Sequence, residues 1–419
     1  MIYDIIAPQQ LQASITPPAS KSISNRALII HALSEGNILP DNLSDCDDTE
    51  VILRVIDNLP ETVDIKAAGT AMRFMTAYLS TIEGEHSITG TERMKHRPIG
   101  VLVDALRYLG ADITYEGEEG FPPLRIKGHT LTGGHLEIPG DISSQYISAL
   151  LMIGPVLAQG LELRMTGEIV SRPYIDLTLC TMREFGAEAE WSDMDTVTVK
   201  PHPYIQKPYR IESDWSAASY WYEMMALTKD AEAAVSLVGL LDASKQGDSV
   251  VKYLFSLIGV KTTFEASPSA SLPTVTLSRH RRMLPRLDYD FTGSPDLAQT
   301  VVVSCALMGV HFHFTGLASL KIKETDRIEA LKRELRKLGY VIQSQSDSEL
   351  LWNGERCEPT FEPIDTYEDH RMALAFAPAA LALGHIEIRH PEVVTKSYPH
   401  YWDDLQTAGF RIIKQDERL

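Results

Sequence analysis

The stretch KETDRIEALKRELRKLGYVI, residues 323–342, contains a complete structural unit of this 419-residue chain. Behind Lys323-Glu324-Thr325-Asp326-Arg327, the residues Ile328, Leu331, Leu335 and Leu338 recur at helical spacing, and Gly339 ends the pattern. Tyr340-Val341-Ile342 then reads as a strand. Acids in the opening turn suit the positive end of the helix dipole, whereas Arg327 does not. A cation there is expected either in an exposed i,i+3 pair with Glu324 or on an anion.

The unit recurs. Helices are expected over 101–109, 177–185, 250–258 and 401–408, closed by Gly110, Gly186, Gly259 and Gly409 as left-handed caps and followed by short β-type runs. A weaker copy over 48–58 has Pro60 where the glycine would stand. Between these lie segments apolar on nearly all sides, 70–80, 145–157, 217–227, 297–307 and 372–383, which read as buried helices. A period of roughly 70–80 residues is too long for a solenoid, so each unit is a small α+β module with its own sheet. Six modules imply an inside-out, barrel-like α/β fold of α+β repeats, with buried helices and sheets outside. Two similar domains of three units each are expected: 18–211, and 1–17 with 212–419.

Composition narrows the function. Hydrophobic residues make up 44% of the chain, and the net charge of −18 argues against nucleic acid or an anionic membrane as partner. Cys46, Cys180, Cys305 and Cys357 form no CxxC and read as reduced, buried thiols, with no metal site. No apolar run is long enough to span a bilayer, and Met1-Ile2-Tyr3-Asp4 is not a signal peptide, so a cytoplasmic protein is expected.

Against that acidic background, cations collect at helix starts. Pro18–Arg26 (PASKSISNR) is a hydroxyl-rich turn carrying Lys21, Ser22 and Arg26 ahead of an apolar helix over 27–33. Gly69-Thr70-Ala71-Met72-Arg73 opens a buried helix where Gly69 allows close approach. Arg93–Arg97 is a basic loop suited to a mobile arm. Ser143-Ser144-Gln145 and Ser171-Arg172-Pro173-Tyr174 place hydroxyls and an amide at helix starts, as a simple cap also would. Asp296 precedes one apolar helix, and His370-Arg371 opens another, with Asp365 and Glu368 spaced as a capping box. Lys396 stands in a loop. If these starts converge, the site takes a multiply anionic ligand, and Asp296 and Glu324 are its proton handlers. Neither GxxxxGK[ST] nor a GxGxxG after a strand is present, so neither a nucleoside triphosphate nor a dinucleotide is indicated.

These motifs, in this order, resemble the 5-enolpyruvylshikimate-3-phosphate synthase family: PASKSISNRAL, GTAMR, Arg97-Pro98-Ile99, Ser143-Ser144-Gln145, Ser171–Tyr174, KETDR, DHRM and Lys396. The resemblance covers nearly the whole chain. It implies a two-domain fold with the active site in the cleft between the domains, and no cofactor. It also implies transfer of the enolpyruvyl group of phosphoenolpyruvate to the 5-hydroxyl of shikimate 3-phosphate, by a monomer. Lys21, Gly69, Arg97, Gln145, Arg327, Arg371 and Lys396 would meet phosphoenolpyruvate. Lys21, Ser22, Arg26, Ser143, Ser144, Gln145, Ser171, Tyr174, Asp296 and Lys323 would meet shikimate 3-phosphate. Asp296, Glu324 and Lys21 would be catalytic. Ala67, Phe74, the run Thr292-Gly293-Ser294 and Ser319 depart from the family pattern, the first two where glyphosate sensitivity is set. UDP-N-acetylglucosamine enolpyruvyl transferases share the fold but carry a reactive cysteine in the loop that is Gly90–Arg97 here, which has none. A non-catalytic phosphometabolite binder would lack Asp296 or Glu324.

Overall fold

The computed structural model describes residues 1–265, 272–281 and 284–415. The chain divides into two compact units, Met1–Pro18 with Glu212–Leu419, and Ala19–Ile211.

In the first unit the helices Trp215–Leu227, Ala298–Met308 and His370–Phe376 are buried along almost their whole length. Two four-stranded sheets and one three-stranded sheet accompany them. Arg286–Asp290 lies parallel to His311–Thr315, which pairs antiparallel with Glu349–Trp352, and Gln343–Gln345 forms the edge. The parallel pair is joined by a buried helix, as parallel strands require a crossover. The same order recurs with Gln12–Ile15 parallel to Ala234–Val238, then Thr274–Arg279 and Val260–Glu265. Ile2–Ile6 is the centre of the third sheet, between His385–Arg389 and Arg411–Gln415. The first residues of the chain are therefore strands of sheets built by its last two hundred, and they belong to this unit.

In Ala19–Ile211 the buried helices are Lys21–Ala32, Gly69–Thr81 and Ser144–Ile153. Two sheets repeat the parallel-then-antiparallel pattern: Thr62–Asp64 with Gly84–Thr89, Leu124–Gly128 and Asp112–Tyr115, and Gly134–Pro139 with Leu161–Thr166, Thr196–Val199 and Ala189–Trp191. Along Leu161–Thr166 the residues Leu161, Leu163 and Met165 are buried and the alternate ones exposed, so one face meets the core and the other meets water. The third module departs from expectation. Among the described residues it has only the isolated bridges of Glu35 with Ile205 and Asp41 with Arg210. Residues 34–42 lack alternation, and Pro40 offers no N–H for a ladder.

The amphipathic helices are Asp47–Asn58, Gly100–Tyr108, Arg172–Glu184, Val251–Leu257, Arg327–Lys337 and Tyr401–Thr407. Gly110, Gly186, Gly259, Gly339 and Gly409 follow five of them with φ of +106°, +84°, +109°, +90° and +93°. In the weaker copy Leu59 takes the left-handed position at φ +38°, one residue before Pro60. Other details correct the sequence reading. Tyr340-Val341-Ile342 is not the strand, which begins at Gln343, although Tyr340 bridges Arg356. The cysteines are free, but Cys180 and Cys357 are only half-buried.

Candidate active site

Lys323–Thr325 stand ahead of the helix. Asp326 caps it, its carboxylate accepting the Glu329 N–H at 3.2 Å, so Arg327 is the first helical residue. Arg327 is 1% exposed, so its pair with Glu324 is a buried one. Its Nε donates to Asp369 Oδ2 at 2.6 Å, its Nη2 to Glu324 Oε2 at 2.9 Å and its Nη1 to Asp296 Oδ1 at 3.2 Å. Three carboxylates thus offset both burial and the unfavourable end of the dipole. Burial opposes the guanidinium charge, yet Asp369, Glu324 and Asp296 outweigh it and hold the proton more firmly than usual.

The rest of the network is assembled from distant segments. Asp296 sits in the turn Pro295–Leu297 rather than acting as a plain cap. Arg371 Nη2 reaches its Oδ2 at 2.9 Å, and Lys323 Nζ lies 3.7 Å from its Oδ1. Burial alone would raise the Asp296 carboxyl; Arg371, Lys323 and Arg327 override that and hold it well below the ordinary range. Lys396, in the turn Pro391–Lys396, donates to Glu324 Oε1 at 2.6 Å. Arg371 also donates to the Tyr220 hydroxyl at 3.4 Å; burial pushes that phenol up to about 12, with Arg371 and Arg327 opposing. Asp248 is buried, and that burial together with the Asp296 charge raises it to about 7 despite Arg371. The expected capping box at Asp365 and Glu368 does not form. Asp369 caps the helix through the Arg371 N–H at 2.9 Å, while Asp365 faces Lys337 and Arg389. The cap residue is thus also the main partner of Arg327, a role that the run Glu368-Asp369-His370 did not disclose.

Ala19–Ile211 holds the other candidates. Lys21 through Arg26 are not a turn before the helix: they are its first six residues. The hydroxyls and amide that suggested a turn bond sideways in the core, Ser24 Oγ accepting the Ser44 N–H at 3.0 Å and Asn25 Oδ1 accepting from Thr49 at 2.7 Å. Lys21 Nζ lies 3.2 Å from Asp48 Oδ2, on a 2% exposed residue that sequence reasoning assigned no role. Arg26 turns inward. It donates to Thr178 Oγ1 at 2.7 Å, the Ser22 carbonyl at 2.8 Å, Ser148 Oγ at 3.1 Å and the Tyr174 carbonyl at 3.3 Å. Its guanidinium lies 5.5 Å from the ring of Phe74, one of the residues that depart from the family pattern.

At the start of Gly69–Thr81 glycine leaves room for two cations: a Cβ there would displace the Arg97 guanidinium and stand 3.0 Å from Arg73 Nη1. Arg73 donates to the Gly69 carbonyl at 2.8 Å and packs over Tyr146. Gln145 Nε2 donates to Thr70 Oγ1 at 3.2 Å, which joins two helix starts. Ser143 does cap its helix, through the Gln145 N–H at 3.4 Å, and Ser144 is buried. Ser171 has φ +55°, and its side chain makes no cap bond. Residues 93–97 are not all loop, since Glu92–Lys95 form a helical turn capped by Thr91.

Repeated α/β modules, with one cation–carboxylate network and several anion-suited helix starts, define a class of protein built to handle anionic small molecules. The EPSP synthase (3-phosphoshikimate 1-carboxyvinyltransferase) family model matches residues 5–64 and 58–405. A protein of Bacteroides fragilis named 3-phosphoshikimate 1-carboxyvinyltransferase is 58% identical over 98% of this chain and 99% of its own length. One of the same name from Shewanella pealeana is 35% identical over 96% and 98%. A solved EPSP synthase from Acinetobacter baumannii superposes with a TM-score of 0.78 over 99% of this chain and 100% of its own; at 21% identity, that likeness concerns the fold. The chain belongs to the EPSP synthase family.

Proposed function

We propose that this chain transfers the enolpyruvyl group of phosphoenolpyruvate to the 5-hydroxyl of shikimate 3-phosphate with release of phosphate, a cytoplasmic step toward chorismate and the aromatic amino acids. Family membership and the name of the 58% identical relative support the reading. The observation that carries it is the Asp296–Glu324 pair bridged by Arg327 and flanked by Lys323, Arg371 and Lys396. Two proton-handling carboxylates inside a cationic network suit addition and elimination between two anions.

Phosphoenolpyruvate would be held by Lys21, Gly69, Arg97, Gln145, Arg327, Arg371 and Lys396. Lys21, Ser22, Arg26, Ser143, Ser144, Gln145, Ser171, Tyr174, Asp296 and Lys323 would hold shikimate 3-phosphate, and the two sets would meet in a cleft between the domains. Arg26 contributes by bracing the helix of Ser22 against the turn of Tyr174. A carboxylate held as acidic as Asp296 is a weak base. Anionic substrates would draw Arg371 and Lys323 onto themselves, and Asp296 would then regain the basicity needed to take the 5-hydroxyl proton. Glu324, assisted by Lys21, would protonate the methylene carbon to give a tetrahedral ketal and later remove that proton, while the arginines and lysines hold the departing phosphate.

The test is phosphate release with shikimate 3-phosphate or with UDP-N-acetylglucosamine as acceptor. Turnover is expected with the first only; turnover with the second, or with neither, would overturn the reading. In deuterated solvent, Glu324→Gln should slow methylene exchange by about 10²–10⁴-fold, whereas Asp296→Asn should prevent ketal formation.

A further inference from the structure

We propose that Arg172 and Trp191 form a clamp that fixes the turn at Ser171 and positions it for the phosphorylated substrate. The inference rests on the assignment of Ser171 and Tyr174 above. Ser171 is a buried, non-glycine residue in the left-handed region, at φ +55° and ψ +34°. Its hydroxyl does not cap the following helix, so the usual local bond that would hold a serine there is missing. What holds the turn is the next residue. The guanidinium carbon of Arg172 lies over the Trp191 ring, 3.9 Å from its centroid, and Arg172 Nη1 donates to the Met194 carbonyl at 3.1 Å. Trp191 Nε1 in turn donates to Asp176 Oδ1 at 2.8 Å, and Asp176 is one turn along the helix that Arg172 begins.

The contacts form a closed ring: helix start, guanidinium, indole, carboxylate, helix. Trp191 ends an edge strand, so the ring ties the helix start to the sheet. From the turn, Tyr174 N–H donates to the Ser171 carbonyl at 3.0 Å, and the Tyr174 carbonyl accepts from buried Arg26 at 3.3 Å. Ser171 and Tyr174 are therefore held from the outside by the stack and from the inside by Arg26. A guanidinium suits this role because its plane stacks while its edge still donates. In the sequence Arg172 is one more cation at a helix start; stacked on Trp191 it acts as a positioning residue.

The experiment uses the full chain and steady-state kinetics for Arg172→Ala, Trp191→Leu, Trp191→Phe and the Arg172→Ala/Trp191→Leu double variant. Each of the first two should raise KM for shikimate 3-phosphate by about 3- to 30-fold, with KM for phosphoenolpyruvate and kcat within about 3-fold. The double variant should be no worse than the worse single one, and Trp191→Phe, which keeps a ring under Arg172 but loses the bond to Asp176, should recover part of the loss. The full chain has five tryptophans, so a Trp191 signal is read as the fluorescence change on adding shikimate 3-phosphate alone that is lost in Trp191→Phe. An Arg172→Ala defect with unaltered Trp191→Leu would make Arg172 a direct ligand contact and overturn the clamp, as would additive effects. Absence of turnover in the unsubstituted protein would instead sink the functional reading.

Discussion

Asp248 is the residue whose surroundings most clearly predict a measurable effect. Its carboxyl is buried beside Asp296, Arg371 and Asp214 and hydrogen-bonded to Ser216. Burial and the two neighbouring acids raise it to about 7. A folded-state value above the unfolded one stabilises fully below the unfolded value, and the contribution is lost as pH rises through the folded one. Asp296 runs the other way: its depressed carboxyl stabilises above its unfolded value and loses that contribution only in strong acid. Between pH 5 and 8 the Asp248 term should therefore outweigh that of Asp296. Asp248→Asn should flatten the decline in unfolding free energy over that range, with a difference on the order of 1–4 kcal/mol by pH 8. Denaturant titrations at several pH values would check this; parallel curves for the two proteins would show that Asp248 stays ionised. The sequence contained no hint of it, because nothing local to Gly247-Asp248-Ser249 reports the charge of residues 48 and 123 positions away.

Helix ends were legible to different degrees. Glycine stops were read correctly because the left-handed cap is a local requirement of the backbone. Starts are less legible where their polar residues are buried: Lys21–Arg26 reads as a hydroxyl-rich turn, yet it is helix, with its polar side chains bonded to Ser44, Thr49 and Thr178. The caps allow a paired test. A Cβ at Gly110 would come no closer than 3.8 Å to Thr132, so Gly110→Ala should cost only the backbone term, about 1–2 kcal/mol. At Gly339 a Cβ would also stand 3.1 Å from the Cys357 carbonyl, so Gly339→Ala should cost more. Equal losses in urea unfolding would mean that the backbone at Cys357 yields without strain.

At the scale of the whole molecule, the functional proposal divides the ligand contacts between two compact units. One carries Lys21, Gly69, Arg97, Gln145 and Ser171, and the other Asp296, Glu324, Arg327, Arg371 and Lys396. Two anionic substrates should then pull the halves together, because they neutralise cations contributed by both. Small-angle scattering should show a smaller radius of gyration with shikimate 3-phosphate plus a non-reacting phosphoenolpyruvate analogue than without ligands; an unchanged radius would count against a shared cleft.

By itself the sequence determined the repeat, the buried and amphipathic helices, the glycine caps and the family, since helical period, cap chemistry and motif order are local properties of the chain. Only the tertiary structure decided the partners. Arg327 meets Asp369 across 42 residues and Lys396 meets Glu324 across 72. Arg26 is drawn into the core by Thr178 across 152, and Arg172 lies against Trp191 rather than facing outward for an anion. Spacing along a helix fixes the phase of a side chain but not what packs against it. A cation beside a helix start becomes a ligand contact, a brace or one arm of an ion pair according to which distant carboxylate, carbonyl or ring the fold brings to it.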